Sequence, residues 1–187
     1  MATPRNFGEK SRATRPPNVS RAGLEAAALR YLERFDCTAA RLRKVLGERV
    51  SKAARAGIAE ASDAPAIIEQ ILERYRSSGL IDDQRFAQNF AARQRDRGAS
   101  RRMIEQKLRA RGISSELVAT TLPRAQSAQS ELEAAQAFAR RRRLGPHRKP
   151  ELRDAYRQKD LMALASAGFD YDTARRVVGS SSSNDEL

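Results

Sequence analysis

Apolar residues recur through most of this chain at the three- and four-residue spacing of an amphipathic helix, and they nowhere alternate as in a half-buried strand. Leu24, Ala28, Leu32 and Phe35 form the first such stripe. Comparable stripes follow, separated by short polar stretches and by glycines. The pattern predicts an all-α fold of about nine short helices.

Local signals predict where these helices begin and end. Serine, threonine and aspartate side chains accept hydrogen bonds from the free amides of a first helical turn, whereas glycine favours the left-handed conformation that ends many helices. Pro65 fits the first turn of a helix, and Glu48 to Asp63 is predicted to be a long connector. The predicted N-caps are Thr38, Asp63, Asp82, Ser100 and Ser115.

The helices group into three related units. A shift of 56 residues places Leu108 on Leu164 and Gly112 on Gly168, and a shift of 62 in the other direction places Ser100 on Thr38. These matches predict tandem three-helix repeats. The alternative is a nine-helix bundle without true repetition. Each unit is small for an independent core, so we expect stacking of neighbours to supply much of its stability.

The predicted organisation has five parts. Proline and basic residues at the start of the chain indicate a disordered arm, and a serine run indicates a flexible tail. The parts are a basic N-terminal arm (1–21), repeat 1 (22–79), repeat 2 (80–125), repeat 3 (126–179) and a Ser-rich tail (180–187).

The charge of the chain favours an anionic partner. Thirty-six basic residues against 23 acidic ones give a net charge of +13. Such a surface attracts nucleic acid or an acidic protein face, although a soluble basic protein without such a partner has the same composition. Aromatic residues make up 5% of the chain and tryptophan is absent, which argues against a base-stacking platform.

Catalytic and metal-binding signatures are missing from the sequence. Cys37 is the only cysteine and His147 the only histidine, so neither a disulfide nor a zinc site is expected. No phosphate-binding glycine loop or nucleophile elbow occurs. The adjacent carboxylates Asp82 and Asp83 suit a helix cap better than catalysis. We therefore expect no enzyme activity, no cofactor and no metal.

Neither a membrane nor an export route is indicated. No apolar run approaches the roughly 20 residues that span a bilayer. The basic N-terminus is not followed by the hydrophobic segment of a secretory signal. The terminal Asn184-Asp185-Glu186-Leu187 resembles a retention signal only by coincidence. The sequence predicts a cytoplasmic protein.

Two basic clusters are the candidate binding residues. The first lies in the central unit and the second follows the apolar stripe that begins at Ala134. A solvated charged face would explain such clusters as well, and a helix-turn-helix that reads DNA bases is a weaker alternative, since its reading face would hold only Gln106 and arginines. The candidates are Arg93, Arg97, Arg101, Arg102, Lys107, Arg109, Arg111, Arg140, Arg141, Arg142 and Arg143.

The segment Gly79-Leu80-Ile81-Asp82-Asp83-Gln84-Arg85-Phe86-Ala87 resembles the central motif of the RecX family of recombination regulators. That motif typically reads Gly-Leu-[Leu/Ile]-[Asp/Asn]-Asp-x-Arg-[Phe/Tyr]-Ala. The run from Arg93 to Ile113 is similar to the stretch that follows in the family. Further likeness at Ala28–Leu32 and Arg157–Leu161 extends the resemblance over 22–178.

The resemblance implies three-helix repeats in an elongated, curved arrangement. It also implies a monomer that binds the filament of the RecA recombinase on DNA, with direct contact to the DNA left open. Such proteins modulate, mainly inhibit, the ATPase, coprotease and strand-exchange activities of RecA in recombination, DNA repair and the SOS response. A general basic nucleic-acid-binding helical protein is the alternative function.

Overall fold

A computed structural model describes residues 17–58, 62–122 and 127–180. Most of the predicted arm (1–16) and of the predicted tail (181–187) lies outside the described residues. Within the described ranges the secondary structure is helical, with nine α-helices, two 3₁₀ turns and no strand, so the predicted all-α class is confirmed. The helices are α1 (Arg21–Leu32), α2 (Ala39–Arg55), α3 (Ala64–Ser77), α4 (Asp83–Asp96), α5 (Arg101–Arg109), α6 (Ser115–Thr121), α7 (Ser127–Arg142), α8 (Arg153–Ser166) and α9 (Tyr171–Gly179).

Three separate hydrophobic clusters correspond to successive groups of three helices. The first runs from Val19 to Ile81, the second from Phe86 to Leu122 and the third from Ala134 to Val177. Val19 and Ile81 belong to the first cluster although they lie just outside the predicted repeat 1. The unit boundaries and the elongated, curved outline stay predictions.

Most of the predicted caps are present. The side chains of Thr38, Asp82 and Ser100 accept hydrogen bonds from the amides three residues on, at 3.1, 2.8 and 3.2 Å. The cap of α6 is Ser114 rather than Ser115, with its hydroxyl accepting from the Leu117 amide at 3.2 Å. Asp63 makes no side-chain cap bond, since its backbone has helical rather than extended angles.

Two helices end at places that the apolar pattern did not predict. α2 continues to Arg55, well into the predicted connector, because Val50 and Ala53 keep one face of this stretch buried in the first cluster. α1 ends at Leu32. Phe35 therefore lies beyond the helix with 49% of its surface exposed, and it is not part of the core.

The first and second units meet where the start of α2 touches the end of α5. The Thr38 hydroxyl donates to the Arg111 carbonyl at 2.7 Å, and the Ala39 amide donates to the Asp83 carboxylate at 2.9 Å. Gly112 has a φ of 78°, and a Cβ at that position would overlap the Cβ of Ala40. We call this set of contacts the first junction.

The second and third units meet through two hydrogen bonds of the same kinds and through another close glycine. The Ser100 hydroxyl donates to the Ala167 carbonyl at 2.6 Å, and the Arg101 amide donates to the Glu131 carboxylate at 3.1 Å. Gly168, at φ 91°, leaves only 2.6 Å between a Cβ and the Ser100 hydroxyl oxygen. Ser100 and Gly168 occupy in this second junction the places that Thr38 and Gly112 occupy in the first, and these are the pairs that the sequence shifts predict.

The junctions separate the roles of the adjacent carboxylates in the central motif. Asp82 caps α4, as predicted. Asp83 instead accepts the first free amide of α2 from the preceding unit. Its carboxylate therefore holds two units together, a role that no local pattern around it predicts.

A buried carboxylate fixes the loop between α7 and α8. Asp160 is 1% exposed. It accepts from the Gly145 amide at 2.8 Å and from the Arg148 guanidinium at 3.1 and 2.6 Å. These bonds raise the pKa of Arg148 above its ordinary value. The loop containing the second 3₁₀ turn, Pro150–Leu152, is thereby tied to the core of the third unit.

Candidate cationic surface

Three arginines of the central unit are free to contact a partner. Arg93, Arg97 and Arg102 are exposed. Their side chains make no hydrogen bond or ion pair with any other residue in the described ranges. Arg93 and Arg97 are one helical turn apart and so lie on the same side of the end of α4. Arg102 lies in the first turn of α5, with its Cβ beside Gly168 of the third unit.

Other predicted contact residues are already engaged within the unit. The Arg101 guanidinium donates to the Leu122 carbonyl at 2.9 Å and pairs with Glu105 at 2.9 Å. The Lys107 ammonium donates to the Gln94 side chain at 2.9 Å. Both side chains therefore stabilise the fold, and their charges act on a partner through the general field of the protein.

The remaining two cations of this cluster lie at the end of α5. Arg111 stacks over the Phe90 ring, with 4.3 Å between the guanidinium carbon and the ring centroid, and donates to the Lys107 carbonyl. The side chain of Arg109 is 54% exposed and its guanidinium lies 3.7 Å from Glu105. An exposed pair at this distance contributes little to stability, so Arg109 stays available to another anion.

The fold brings the second cluster against the first. Arg140, Arg141, Arg142 and Arg143 are exposed at the end of α7. The Arg141 guanidinium donates to the Arg97 carbonyl, and Arg142 lies over the Phe138 ring at 5.7 Å. We define the cationic surface as the exposed, unpaired guanidiniums of Arg93, Arg97, Arg102 and Arg140 together with Arg141.

Arg143 has a structural peculiarity that bears on its role. It is the one non-glycine residue in the described ranges with a positive φ, 55°, and it occupies the position after α7 that glycine fills after other helices. A left-handed residue with a Cβ is disfavoured by about 1–2 kcal/mol. The backbone at Arg143 is therefore strained, although its guanidinium is exposed.

Arg143→Gly is expected to raise the free energy of unfolding by about 0.5–1 kcal/mol, because relief of this strain exceeds the added freedom of glycine in the unfolded chain. Urea unfolding followed by circular dichroism measures the change. Arg143→Ala removes the same charge but keeps the strain, so it should leave stability near that of the parent. A destabilised glycine variant would contradict the strain argument.

The sequence did not reveal two features around this surface. Arg95, which looked like one more surface cation, pairs with Glu131 of the next unit at 2.6 Å with both side chains largely buried. A cleft of about 660 Å³ beside the first junction gathers Arg41 and Lys44 of α2 with Arg109 and Arg111. Both features join residues far apart in sequence, and no local spacing indicates them.

The described residues contain neither a metal site nor a membrane span. No group of three or more His, Cys, Asp or Glu side chains in these ranges could hold a metal ion. None of the helices described is long and apolar enough to cross a membrane. Burial, Asp36 and Asp83 together raise the pKa of Cys37 to about 11. Its thiol is therefore protonated at neutral pH and is a poor metal ligand or nucleophile.

Comparison with known proteins identifies the family. The family model described as RecX, second three-helix domain, matches residues 82–122. The chain is 40% identical over 167 residues to the regulatory protein RecX of Myxococcus xanthus, covering 89% of each chain. It is 30% identical over 160 residues to that of Halorhodospira halophila, covering 86% of this chain and 89% of the relative.

A solved crystal structure of regulatory protein RecX has the same fold. It superposes with a TM-score of 0.60 at 24% identity, over 84% of this chain and 72% of the other. At that identity the likeness establishes the fold alone, whereas the Myxococcus relative establishes the family. The chain belongs to the RecX family of regulatory proteins.

Proposed function

We propose that this protein binds the filament of RecA on DNA and modulates, mainly inhibits, its ATPase, coprotease and strand-exchange activities in recombination, DNA repair and the SOS response. Family membership supports this proposal, and the observation that carries it is the cationic surface. Arg93, Arg97 and Arg102 have no partner within the described ranges. A filament groove lined by acidic side chains and DNA phosphates would supply the missing anions.

Regulation would follow from position rather than chemistry. A string of units joined by fixed junctions can contact more than one RecA protomer along a groove. Bridging of that kind would hold neighbouring protomers in one relative geometry. On this proposal ATP hydrolysis in the filament depends on that geometry, and the bound protein would change the rate without any catalytic group of its own.

The direct test measures the DNA-dependent ATPase of RecA as purified protein is added. We expect the rate to fall at substoichiometric to equimolar ratios. A companion measurement compares sedimentation of RecA filaments and of the same bare DNA at two salt concentrations. The affinity of the protein for filaments should exceed its affinity for bare DNA. Its affinity for bare DNA should fall steeply as the salt concentration rises. Unchanged ATPase, or equal affinity for bare DNA, would favour a general nucleic-acid-binding protein.

Arg93→Glu with Arg102→Glu is expected to weaken filament binding about tenfold, because two attractive charges become repulsive. Folding should be unaffected, since both side chains are exposed and Glu in the first turn of α5 suits the helix dipole. Arg30→Glu with Arg55→Glu, at two other exposed arginines, makes the same change in net charge. Sedimentation compares the two variants, and equal losses would show that total charge matters and the cationic surface does not.

A further inference from the structure

The cleft beside the first junction combines cations with exposed aromatic surface. Its lining includes Arg41, Lys44, Arg109 and Arg111, against the single carboxylate of Asp36. The aromatic side chains of Tyr31, Phe35 and Phe86 line the same cleft, with Phe35 49% exposed and Phe86 buried. Its volume, about 660 Å³, lies within the range of sites that hold a small organic ligand.

The cations of the cleft retain capacity for an outside anion. Lys44 is exposed and has no partner within the described ranges. Arg41 is also exposed and donates to one neutral group, the Tyr31 hydroxyl, at 3.1 Å. Arg41 and Lys44 are three residues apart on α2, so both project from one face. Across the cleft, Arg109 has only a distant carboxylate at 3.7 Å. The net charge therefore favours a ligand that carries phosphate or carboxylate.

The exposed ring of Phe35 favours a nucleotide, which carries phosphate, over a carboxylate side chain. Phe35 is 49% exposed; its ring lies 5.0 Å from that of Tyr31 between centroids, and the Arg34 guanidinium lies 5.7 Å over it. Exposing a phenyl ring to water is unfavourable, and a flat ligand would cover it. Nucleic-acid bases stack on such rings whatever their sequence, and their phosphates pair with neighbouring cations. A carboxylate side chain offers no corresponding flat surface.

From these contacts we infer that the cleft binds a nucleotide of a single-stranded nucleic acid, with a base against Phe35 and phosphates between Lys44 and Arg109. The inference rests on the proposed function for its setting, since a RecA filament contains a DNA strand. It adds that this protein touches that strand directly, through residues other than those of the cationic surface. The low aromatic content of the sequence argued against base stacking, but three of the ten aromatic rings line this one cleft.

A single reporter residue tests the base contact. The chain contains no tryptophan, so Phe35→Trp places the only indole in the cleft. We expect addition of oligothymidylate, without RecA, to quench its fluorescence. An oligonucleotide of equal length with abasic sites should quench far less, because its phosphates are present but its bases are missing. Equal quenching by the two oligonucleotides would overturn the inference. So would quenching by a poly-glutamate peptide, or no quenching by either oligonucleotide.

Two matched lysines test the phosphate contact. Lys44 lines the cleft, whereas Lys52 is exposed two turns further along the same helix and lies outside it. In fluorescence anisotropy with labelled oligothymidylate, Lys44→Ala is expected to weaken binding about threefold to tenfold and to lower the salt-dependence slope by about one. Lys52→Ala should change neither. An equal effect of the two variants would place the strand elsewhere.

The two proposals fail separately. Quenching of the Phe35→Trp reporter by oligothymidylate, with no effect of the protein on the RecA ATPase, would leave the strand site intact and remove the proposed function. Inhibition of RecA by a protein whose Phe35→Trp reporter does not respond to either oligonucleotide would retain the proposed function and remove the strand site.

Discussion

Gly98→Ala is expected to lower the free energy of unfolding by about 2–5 kcal/mol. About 1–2 kcal/mol comes from the left-handed backbone, since Gly98 has a φ of 71°. The rest, about 1–3 kcal/mol, comes from overpacking. A Cβ at this position would lie 2.7 Å from the Phe138 amide nitrogen and 2.9 Å from the Ala134 carbonyl oxygen. Both atoms belong to the backbone of α7, which cannot rotate away.

Gly79→Ala is the matched control for this prediction. Gly79 has a φ of 72° and no atom within 4 Å of the added Cβ. The Gly79→Ala variant therefore has the backbone strain alone, and its free energy of unfolding should fall by only about 1–2 kcal/mol. Chemical denaturation of the parent and the two variants measures the difference. Equal losses in the two variants would mean that α4 and α7 do not approach as closely as described.

Asp160→Ala is the second large effect, about 3 kcal/mol of destabilisation. The substitution leaves the buried Gly145 amide without an acceptor and Arg148 without its bidentate partner. Thermal or urea unfolding gives the magnitude. Gln158→Ala, at an exposed position of the same helix, should change stability by no more than about 0.5 kcal/mol. A small effect at Asp160 would show that water replaces its bonds.

Local patterns in this sequence are sufficient to predict the all-α fold class and most of the helices. Three- and four-residue apolar spacing indicated the helical fold, and Thr38, Asp82 and Ser100 marked the starts of three helices because short polar side chains at those positions can reach free amides. The errors have local causes too. α2 extends beyond its predicted end because the tertiary burial of Val50 and Ala53 outweighs the effect of the polar residues around them.

Contacts between units could not be predicted in this way. Asp83 and Glu131 accept amides from residues 44 and 30 positions away, and a carboxylate that does so looks no different in sequence from one that faces solvent. For the same reason the candidate arginines and lysine of the central unit looked equivalent, although Arg101 and Lys107 are held inside it. The aromatic cleft is likewise assembled from two units.

The two junctions have a direction. In each, the earlier unit supplies a hydroxyl and an amide from the start of its second helix, and the later unit supplies a carbonyl and a carboxylate. The second helix of the third unit, α8, begins after Leu152, whose side chain has no hydroxyl to donate. A joint of the same kind made by α8 would therefore lack the hydroxyl-to-carbonyl bond that the two junctions share.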